Sequence, residues 1–333
     1  MKLFSRALLG IALLAACEKV PARDALATQA SAIVAIPRFS PEDPRLSVAH
    51  TGTRRFEFPR TSGPGARYRE RIATDGRGRF ALEPLQGPHT TQDEWDEFEL
   101  RQRARQGFLF RYRDFLVREA DLFERNWTTT DLLRTESVAG RTCDTYRVER
   151  NSDEPSVAYY EVALDQETGL VLASREYANG RLIADMVYES FQLDPDPDSI
   201  AWHQASNVER ILPSVEALEQ ELRVQTLHPR LLPAGYAQLE VATVMDGADR
   251  TWLKLTYTDG VEPLFFLQAL DDAEPEGSTA GIGVEKMPAP SSVMVFQLGT
   301  ATAIQGRVEG YSLMVIGKVS EAELLDLIES CLP

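Results

Sequence analysis

The chain has 333 residues, 43% hydrophobic and 26% charged, which is material for about two domains of ordinary size, and its formal net charge is −16. So acidic a chain offers no clustered lysine and arginine to meet phosphates, so nucleic acid is not an expected partner, and an anionic bilayer would repel it. Any membrane attachment is therefore expected to be apolar or covalent, and the acidity fits a basic partner as well as plain solubility.

Lys2 and Arg6 precede a short apolar run, Ala7 to Ala16, too short to span a bilayer and suited to an export signal. The run ends in Leu14-Ala15-Ala16-Cys17, which resembles a bacterial lipobox. That resemblance implies cleavage before Cys17, lipidation of its thiol and acylation of the new N-terminus, giving the several chains that stable anchoring needs. Residues 1–16 are then a lipoprotein signal peptide, whose loss takes the charge to −18. Glu18 stands where inner-membrane retention uses aspartate. The implied location is the envelope of a Gram-negative bacterium, lipid-anchored and facing the periplasm, at the outer membrane in preference to the inner. Residues 17–43 read as a tether with one moderately apolar helical run, Ala25 to Ile36, stopped by Pro37.

Leu46 to Phe58 reads as a first strand or strand pair, and Thr61 to Gly65 as a loop. Tyr68 to Ile72 and Arg79 to Leu85 follow as strands around Asp75-Gly76-Arg77-Gly78, with arginines alternating as on half-exposed strands. Thr91 to Gln106 has the pattern of a helix: Thr91 caps it, acids crowd its first turns and arginines its end. Its narrow stripe of Trp95, Phe98 and Gln102 suits a helix covering the flank of a sheet. The aromatic run from Phe108 to Val117 fits either a strand or a continuation of that helix. Arg111 and Arg113, flanking Tyr112, either contact a lipid headgroup or alternate on a wet strand, and the wet strand is favoured. Leu132 to Arg150 returns to strands around a turn at Ala139-Gly140-Arg141.

Val157 to Leu193 organises the rest. Three runs rich in β-branched, aromatic and aliphatic residues are separated by Gln166-Glu167-Thr168-Gly169 and Ala178-Asn179-Gly180-Arg181, which supply the positive φ of tight hairpins. This predicts an antiparallel three-strand meander with neither face strongly polar, covered on one side and lining something apolar on the other. The prolines of Leu193-Asp194-Pro195-Asp196-Pro197-Asp198 mark a boundary, and 195–227 reads as linker with a short amphipathic helix at Val215 to Leu222. From His228 a second unit follows: strands at Gln238–Met245, Thr251–Thr258, Glu262–Leu270, Val293–Leu298, Thr300–Val308 and Tyr311–Val319. The acidic, proline-bearing Asp271 to Pro290 reads as a loop. A terminal helix is opened by a capping box of Ser320 and Glu323.

Cys143 and Cys331 either pair in an oxidising envelope, closing a long loop, or lie apart as small buried thiols. His50, His89, His203 and His228 are scattered, without metal-ligand spacing, and no nucleophile elbow, Cys-x-x-Cys or phosphate loop occurs. No catalytic residue, metal or cofactor is expected. Trp95, Trp127, Trp202 and Trp252 suit buried packing better than a ligand groove.

Val138-Ala139-Gly140-Arg141 and the strand ending Leu164-Asp165-Gln166-Glu167-Thr168-Gly169-Leu170 resemble the lipoprotein-carrier fold shared by LolA, LolB and the RseB/MucB regulators. Leu232-Pro233-Ala234-Gly235-Tyr236, Tyr257-Thr258-Asp259-Gly260 and Gly310-Tyr311-Ser312-Leu313-Met314-Val315-Ile316-Gly317 resemble the C-terminal domain of RseB/MucB, which LolA and LolB lack. The resemblance covers about 124–194 and 228–330 and is loose over 18–120. It implies an α+β fold: an incomplete antiparallel β-barrel with plugging helices (LolA-like) at 44–194, and a smaller antiparallel sheet with a closing helix at 228–333. It also implies a binding protein that contacts the periplasmic region of an anti-sigma factor, takes an acyl chain or lipoprotein as ligand, and regulates envelope-stress signalling. The alternative is a LolA/LolB-type carrier or acceptor of lipids or lipoproteins without a signalling role. The inward aliphatics of the meander, Leu164, Leu170, Leu172 and Val187, are the expected ligand-lining residues. Cys17 is the one departure from the usually soluble RseB/MucB pattern.

Overall fold

The structure is a computed structural model that describes residues 44–59, 65–87, 91–104, 106–151, 158–200, 202, 209–222, 225–245, 251–270, 294–298, 300–308 and 310–331. The expected signal peptide at 1–16, the expected lipidation site Cys17, the expected tether at 17–43 and the expected loop at 271–290 lie outside the described residues.

The fold is α+β, with antiparallel strands in two sheets. A one-turn helix α1 (Pro44–Ser47) leads into β1 (Ala49–Phe58), β2 (Ala66–Asp75) and β3 (Phe80–Gln86). Three helices follow: α2 (Gln92–Ala104), α3 (Gln106–Tyr112) and α4 (Ala120–Asn126). Then come β4 (Trp127–Thr129), β5 (Arg134–Val138), β6 (Arg141–Arg150), β7 (Ala158–Asp165), β8 (Val171–Ala178) and β9 (Arg181–Leu193). The spatial order is β3-β2-β1-β9-β8-β7-β6-β4, with β5 also on β6, so the sheet stays open between β3 and the β4/β5 edge. Its centre is the pairing of its first strand with its last, His50 opposite Leu193 and Phe56 opposite Met186.

The predicted meander is present as β7–β9. Asn179 and Gly180 both have positive φ, 51° and 71°, the backbone of a two-residue hairpin turn that matches strand twist. Tyr68 meets Phe98 at 5.9 Å between ring centroids, so α2 lies along the flank of β2 as its narrow stripe suggested. The aromatic run after it is helical through Tyr112 and then irregular.

The second domain begins earlier than the sequence reading placed it. β10 (Glu209–Leu212) pairs with β11 (Ala237–Met245), Leu212 opposite Val241, and Leu218 of α5 (Val215–Leu222) is wholly buried in that domain's core. The supposed linker 195–227 thus contributes an edge strand and a helix. β12 (Thr251–Thr258), β13 (Pro263–Leu270), β14 (Met294–Leu298), β15 (Ala301–Val308) and β16 (Tyr311–Gly317) complete a sheet ordered β10-β11-β12-β13-β16-β15-β14. The closing helix α6 (Glu321–Ser330) carries the predicted capping box and buries Leu324, Leu327 and Ile328.

One face of this sheet, with Leu253, Leu255, Leu264, Phe266 and Val315, packs under α6. The residues that alternate with them face the first domain. β12 is accordingly buried from Trp252 to Thr258 without a polar, wet side.

Cys143 and Cys331 are free, and the pairing considered above is not made. Each is a small apolar side chain in its own domain core: Cys143 beside Phe56 and Leu170, Cys331 beside Leu327 and Ile328. Burial pushes their thiols up to about 11 and about 12, so neither is a reactive thiolate at neutral pH. Unreduced protein unfolded under blocking conditions should label at both cysteines; protection of both would restore the bridge.

The domains meet where Gly260 (φ +107°) lies against α4. A Cβ there would come within 2.4 Å of the Phe123 nitrogen and 2.7 Å of its Cα. Gly78 also has positive φ but faces open space. Gly260→Ala should cost more than about 2 kcal/mol in urea unfolding, and Gly78→Ala about 1 kcal/mol from backbone strain alone. Equal losses would show that the close approach is relieved by a small shift.

Candidate functional site

Between the two sheets lies a cavity of about 910 Å³, within the range of small-molecule sites. Phe56, Tyr160, Ser174 and Met186 face it from the first sheet, and Phe108 and Tyr112 from α3. Trp252, Phe265, Leu267, Ala303, Met314 and Ile316 face it from the second. The sheet positions follow from period-2 alternation: Phe265 pairs with Ile316 and Leu267 with Met314, so these side chains stand together on the face turned away from α6. A second depression, about 600 Å³, runs between α5 and the β10–β11 pair, with Glu216, Glu219 and His228 on its rim.

Two polar clusters bridge the domains beside the cavity. At one, Arg111 reaches Glu209 at 3.1 Å and also contacts Glu240, and the Tyr112 hydroxyl donates to Glu240 at 2.9 Å. The Lys254 ammonium donates to Tyr112 at 3.0 Å and pairs with Glu209. At the other, the Lys318 ammonium lies 2.8 Å from both the Tyr160 hydroxyl and Glu176 and 3.3 Å from Glu262, while Tyr160 donates to Glu262. Burial opposes the Lys318 charge, yet Glu262 and Glu176 raise its pKa above the ordinary lysine value. The Asn126 amide adds bonds of 2.8 Å to the Gly235 carbonyl and 3.0 Å to that of Asp259.

The deepest charges lie inside the first domain. Arg54, in the middle of β1 and 1% exposed, meets Asp114 at 2.5 Å and Glu70 through Nε at 3.1 Å. Arg113 donates to Glu70 at 2.7 and 2.8 Å, and Arg45 reaches Asp114 at 3.1 Å. Burial by itself would raise the Asp114 pKa, but Arg54, Arg113 and Arg45 together hold it well below the usual carboxylate range.

Arg111 and Arg113, read as wet strand positions, are instead helical or near-helical groups committed to buried or bridging carboxylates. Arg54, Glu70, Asp114 and Arg118 were not singled out in the sequence. The available signal was charge embedded in an aromatic run, Phe108 to Val117, where burial is expected and an arginine needs a partner.

The four meander aliphatics do not border this cavity. Leu170 and Leu172 are buried in the first domain's core with Ile72, Leu82 and Phe110, and Val187 packs half-buried against it. Leu164 packs half-buried against the cluster of Trp127, Val148 and Val162. The reason is depth along the strand. Leu172 and Ser174 share a face of β8, but Phe110 of α3 closes over the Leu172 end, and open space begins at Ser174. Of the four histidines, His50 is buried as a structural link, its ring nitrogens 3.2 Å from the Tyr188 hydroxyl and 2.9 Å from the Val48 carbonyl. His89 and His203 lie outside the described residues. Trp252 lines the cavity and Trp127 is core.

Among solved structures, the crystal structure of MucB in complex with MucA(peri) aligns over 86% of this chain and 94% of that one, at 15% identity and TM-score 0.46. The chain is similar to MucB. The Pseudomonas aeruginosa MucA/MucB complex aligns over 87% of this chain and 93% of that chain, at 15% identity and TM-score 0.44, and MucB alone over 86% and 94%, at 16% and 0.43. No protein-family model and no curated protein matches the chain. Among the described residues no helix is long and apolar enough to cross a membrane, and no cluster of three metal-ligating side chains occurs.

Asp114 yields a pH prediction. Its folded pKa is depressed, so its contribution is present above the unfolded value of about 3.9 and is lost as pH falls towards the folded value. Asp114→Asn should cost about 3–5 kcal/mol at pH 7, because Arg54 keeps its buried charge and loses a partner. The gap from the parent chain should narrow between pH 5 and pH 2.5 in urea unfolding. A constant gap across that range would show that Asp114 acts by packing alone.

Proposed function

We propose that the chain is a binding protein of the bacterial envelope that takes an acyl chain into its interdomain cavity and regulates envelope-stress signalling through contact with the periplasmic region of an anti-sigma factor. The observation carrying this reading is the cavity itself: about 910 Å³, walled mainly by aromatic and aliphatic side chains, and bounded by both domains. An occupant would touch the first sheet and the second at once. Its binding would then bear on how the domains meet, which is what a regulator requires and a passive scaffold does not.

The motifs at 138–141, 164–170, 232–236, 257–260 and 310–317 supply the regulatory half of the reading through their resemblance to RseB/MucB. The contact in MucB's complex with MucA(peri) is that protein's own, and a like partner is proposed here. Attachment through an acylated Cys17, at the outer membrane in preference to the inner, belongs to the same proposal and rests on the lipobox. That anchor also favours a second reading, a carrier or acceptor of lipids or lipoproteins, which would use the same cavity.

Native mass spectrometry of the Cys17→Ser chain, exported to the periplasm and purified without detergent, tests the cavity. A reproducible adduct of lipid mass is expected. It should disappear in Ala303→Trp, which puts an indole into the space, and persist in Leu172→Ala, which loses about 3 kcal/mol of stability from a core that does not border it. A clean apo mass, together with failure of added fatty acid and lipopeptide to bind, would remove the reading.

A further inference from the structure

Three cationic side chains border the cavity: Arg113, Arg118 and Lys318. Arg113 is committed to Glu70 and Asp114, and Lys318 to Glu176 and Glu262. Arg118 differs. Its guanidinium donates to four main-chain carbonyls, of Arg111 at 2.5 Å, Tyr112 at 3.0 Å, Asp114 at 3.4 Å and Val261 at 2.8 Å. Among the described residues no carboxylate stands within ion-pair distance of it. The carboxylates that share the cavity wall already have cationic partners: Asp114 has Arg45, Arg54 and Arg113, Glu176 and Glu262 have Lys318, Asp185 has Arg55 and Arg175, and Glu209 has Arg111 and Lys254.

Carbonyls solvate a guanidinium but do not neutralise it, and Arg118 is half-buried, with Glu262 and Asp114 near enough to favour its charge but neither in contact with it, so it keeps attraction to spare for an anion. Burial, then the neighbouring Arg45, bring the Arg118 pKa down to about 10, which still leaves it cationic at neutral pH. The site therefore presents a positive charge at the edge of an apolar space, a match for a molecule with a tail and a negative head.

The same side chain joins the domains. Three of its acceptors belong to the first domain, while Val261 belongs to the second, and the Arg118 amide donates to the Gly260 carbonyl at 2.8 Å. An anion that drew the guanidinium towards itself would compete directly with the Val261 carbonyl, at the turn where Gly260 lies against α4.

We propose that Arg118 is the seat of an anionic head, a carboxylate or a phosphate monoester, on a single-chain amphiphile whose tail fills the cavity, and that seating it loosens the contact between the domains. The proposal rests on the cavity being a ligand site. It adds the ligand's charge, the residue that reads it and the route by which binding reaches the domain interface.

The test uses the full Cys17→Ser chain at pH 7.5 and three probes with the same ten-carbon tail: decanoate, decyl phosphate and decan-1-ol. Calorimetric titration should show at least ten-fold tighter binding of one or both anions than of the alcohol, and the order of the two anions distinguishes carboxylate from phosphate. Arg118→Gln should bring the anion-to-alcohol ratio below two-fold with alcohol affinity kept within two-fold, and Arg118→Lys should retain part of the preference. Hydrogen exchange at the Arg118 amide should accelerate at least ten-fold with the preferred anion and stay unchanged with decan-1-ol.

Equal affinity for all three probes overturns the anion seat and leaves the cavity reading standing. A preference that survives in Arg118→Gln overturns the assignment to Arg118, and anion preference without the exchange change overturns the loosening. Failure of every probe to bind overturns the cavity reading and this proposal together. The comparison of probes on the unmutated Arg118 decides the charge question even if Arg118→Gln does not fold.

Discussion

A guanidinium fixed in the middle of a central strand sets the terms for the first domain. Arg54 stands at an inward position of β1, where an uncompensated charge would cost several kcal/mol. It is tolerated because Glu70 on β2 and Asp114 after α3 both reach it, with Arg113 and Arg45 completing the cluster. These partners come from three segments other than β1 itself: α1, β2 and the stretch after α3. The network therefore does more than neutralise charge: it fixes where α1 lies, and it holds the irregular segment after α3 against the sheet. Phe56, with the Arg113 guanidinium 4.1 Å from its ring centroid and the Tyr68 ring stacked on it at 4.7 Å, ties the same charges to the aromatic core. Once residues 113–118 are placed, Arg118 and Phe115 are placed with them, and so is one wall of the cavity.

The other wall follows from a sheet with two apolar faces. A sheet covered by one helix normally presents its far side to water. Here the far side carries Phe265, Leu267, Met314 and Ile316, and it is turned towards the first domain. The two surfaces meet at their rims through Arg111, Lys254 and Lys318 with their carboxylates, and stay apart in the middle. Polar bonds at the margin and apolar space at the centre give an interface that closes without filling.

Local chemistry was legible in the sequence, and remote compensation was not. The turns at Ala139-Gly140 and Asn179-Gly180 announce themselves because positive φ is a property of a few adjacent residues, and the Ser320–Glu323 capping box is equally local. The meander and the terminal helix were read on such signals. Residues 209–222 were misassigned to a linker because β10 finds its partner, Val241 and its neighbours, about thirty residues further on. Arg54 drew no notice because strands with alternating arginine ordinarily turn them to water, and nothing near Arg54 in sequence shows Glu70 and Asp114 converging on it. The cavity was sought inside the half-barrel, among Leu164, Leu170, Leu172 and Val187, since a meander with two apolar faces does not say which segment closes over it. Phe110 fills that space, and its helix could not be told from a strand by periodicity in so short a run.

The pairing of β1 with β9 has a bearing on the order in which the chain acquires structure. His50 to Glu57 must find Asp185 to Leu193, and the strands between them in sequence flank the pair on both sides, β2 and β3 beyond β1 and β8 to β4 beyond β9. β1, β2 and β3 can zip locally, and so can β6 to β9, but each is a ribbon with an unpaired edge until the two are joined. Long-range closure of this kind is slow relative to local pairing. A chain delivered amino end first therefore has its opening strands waiting, edge exposed, through more than a hundred residues of synthesis or export. The Arg54 cluster shortens that wait only in part, since Glu70 arrives early and Asp114 later. The last strand of the first domain is thus also its keystone, and a chain interrupted before residue 193 holds two half-sheets and no finished domain.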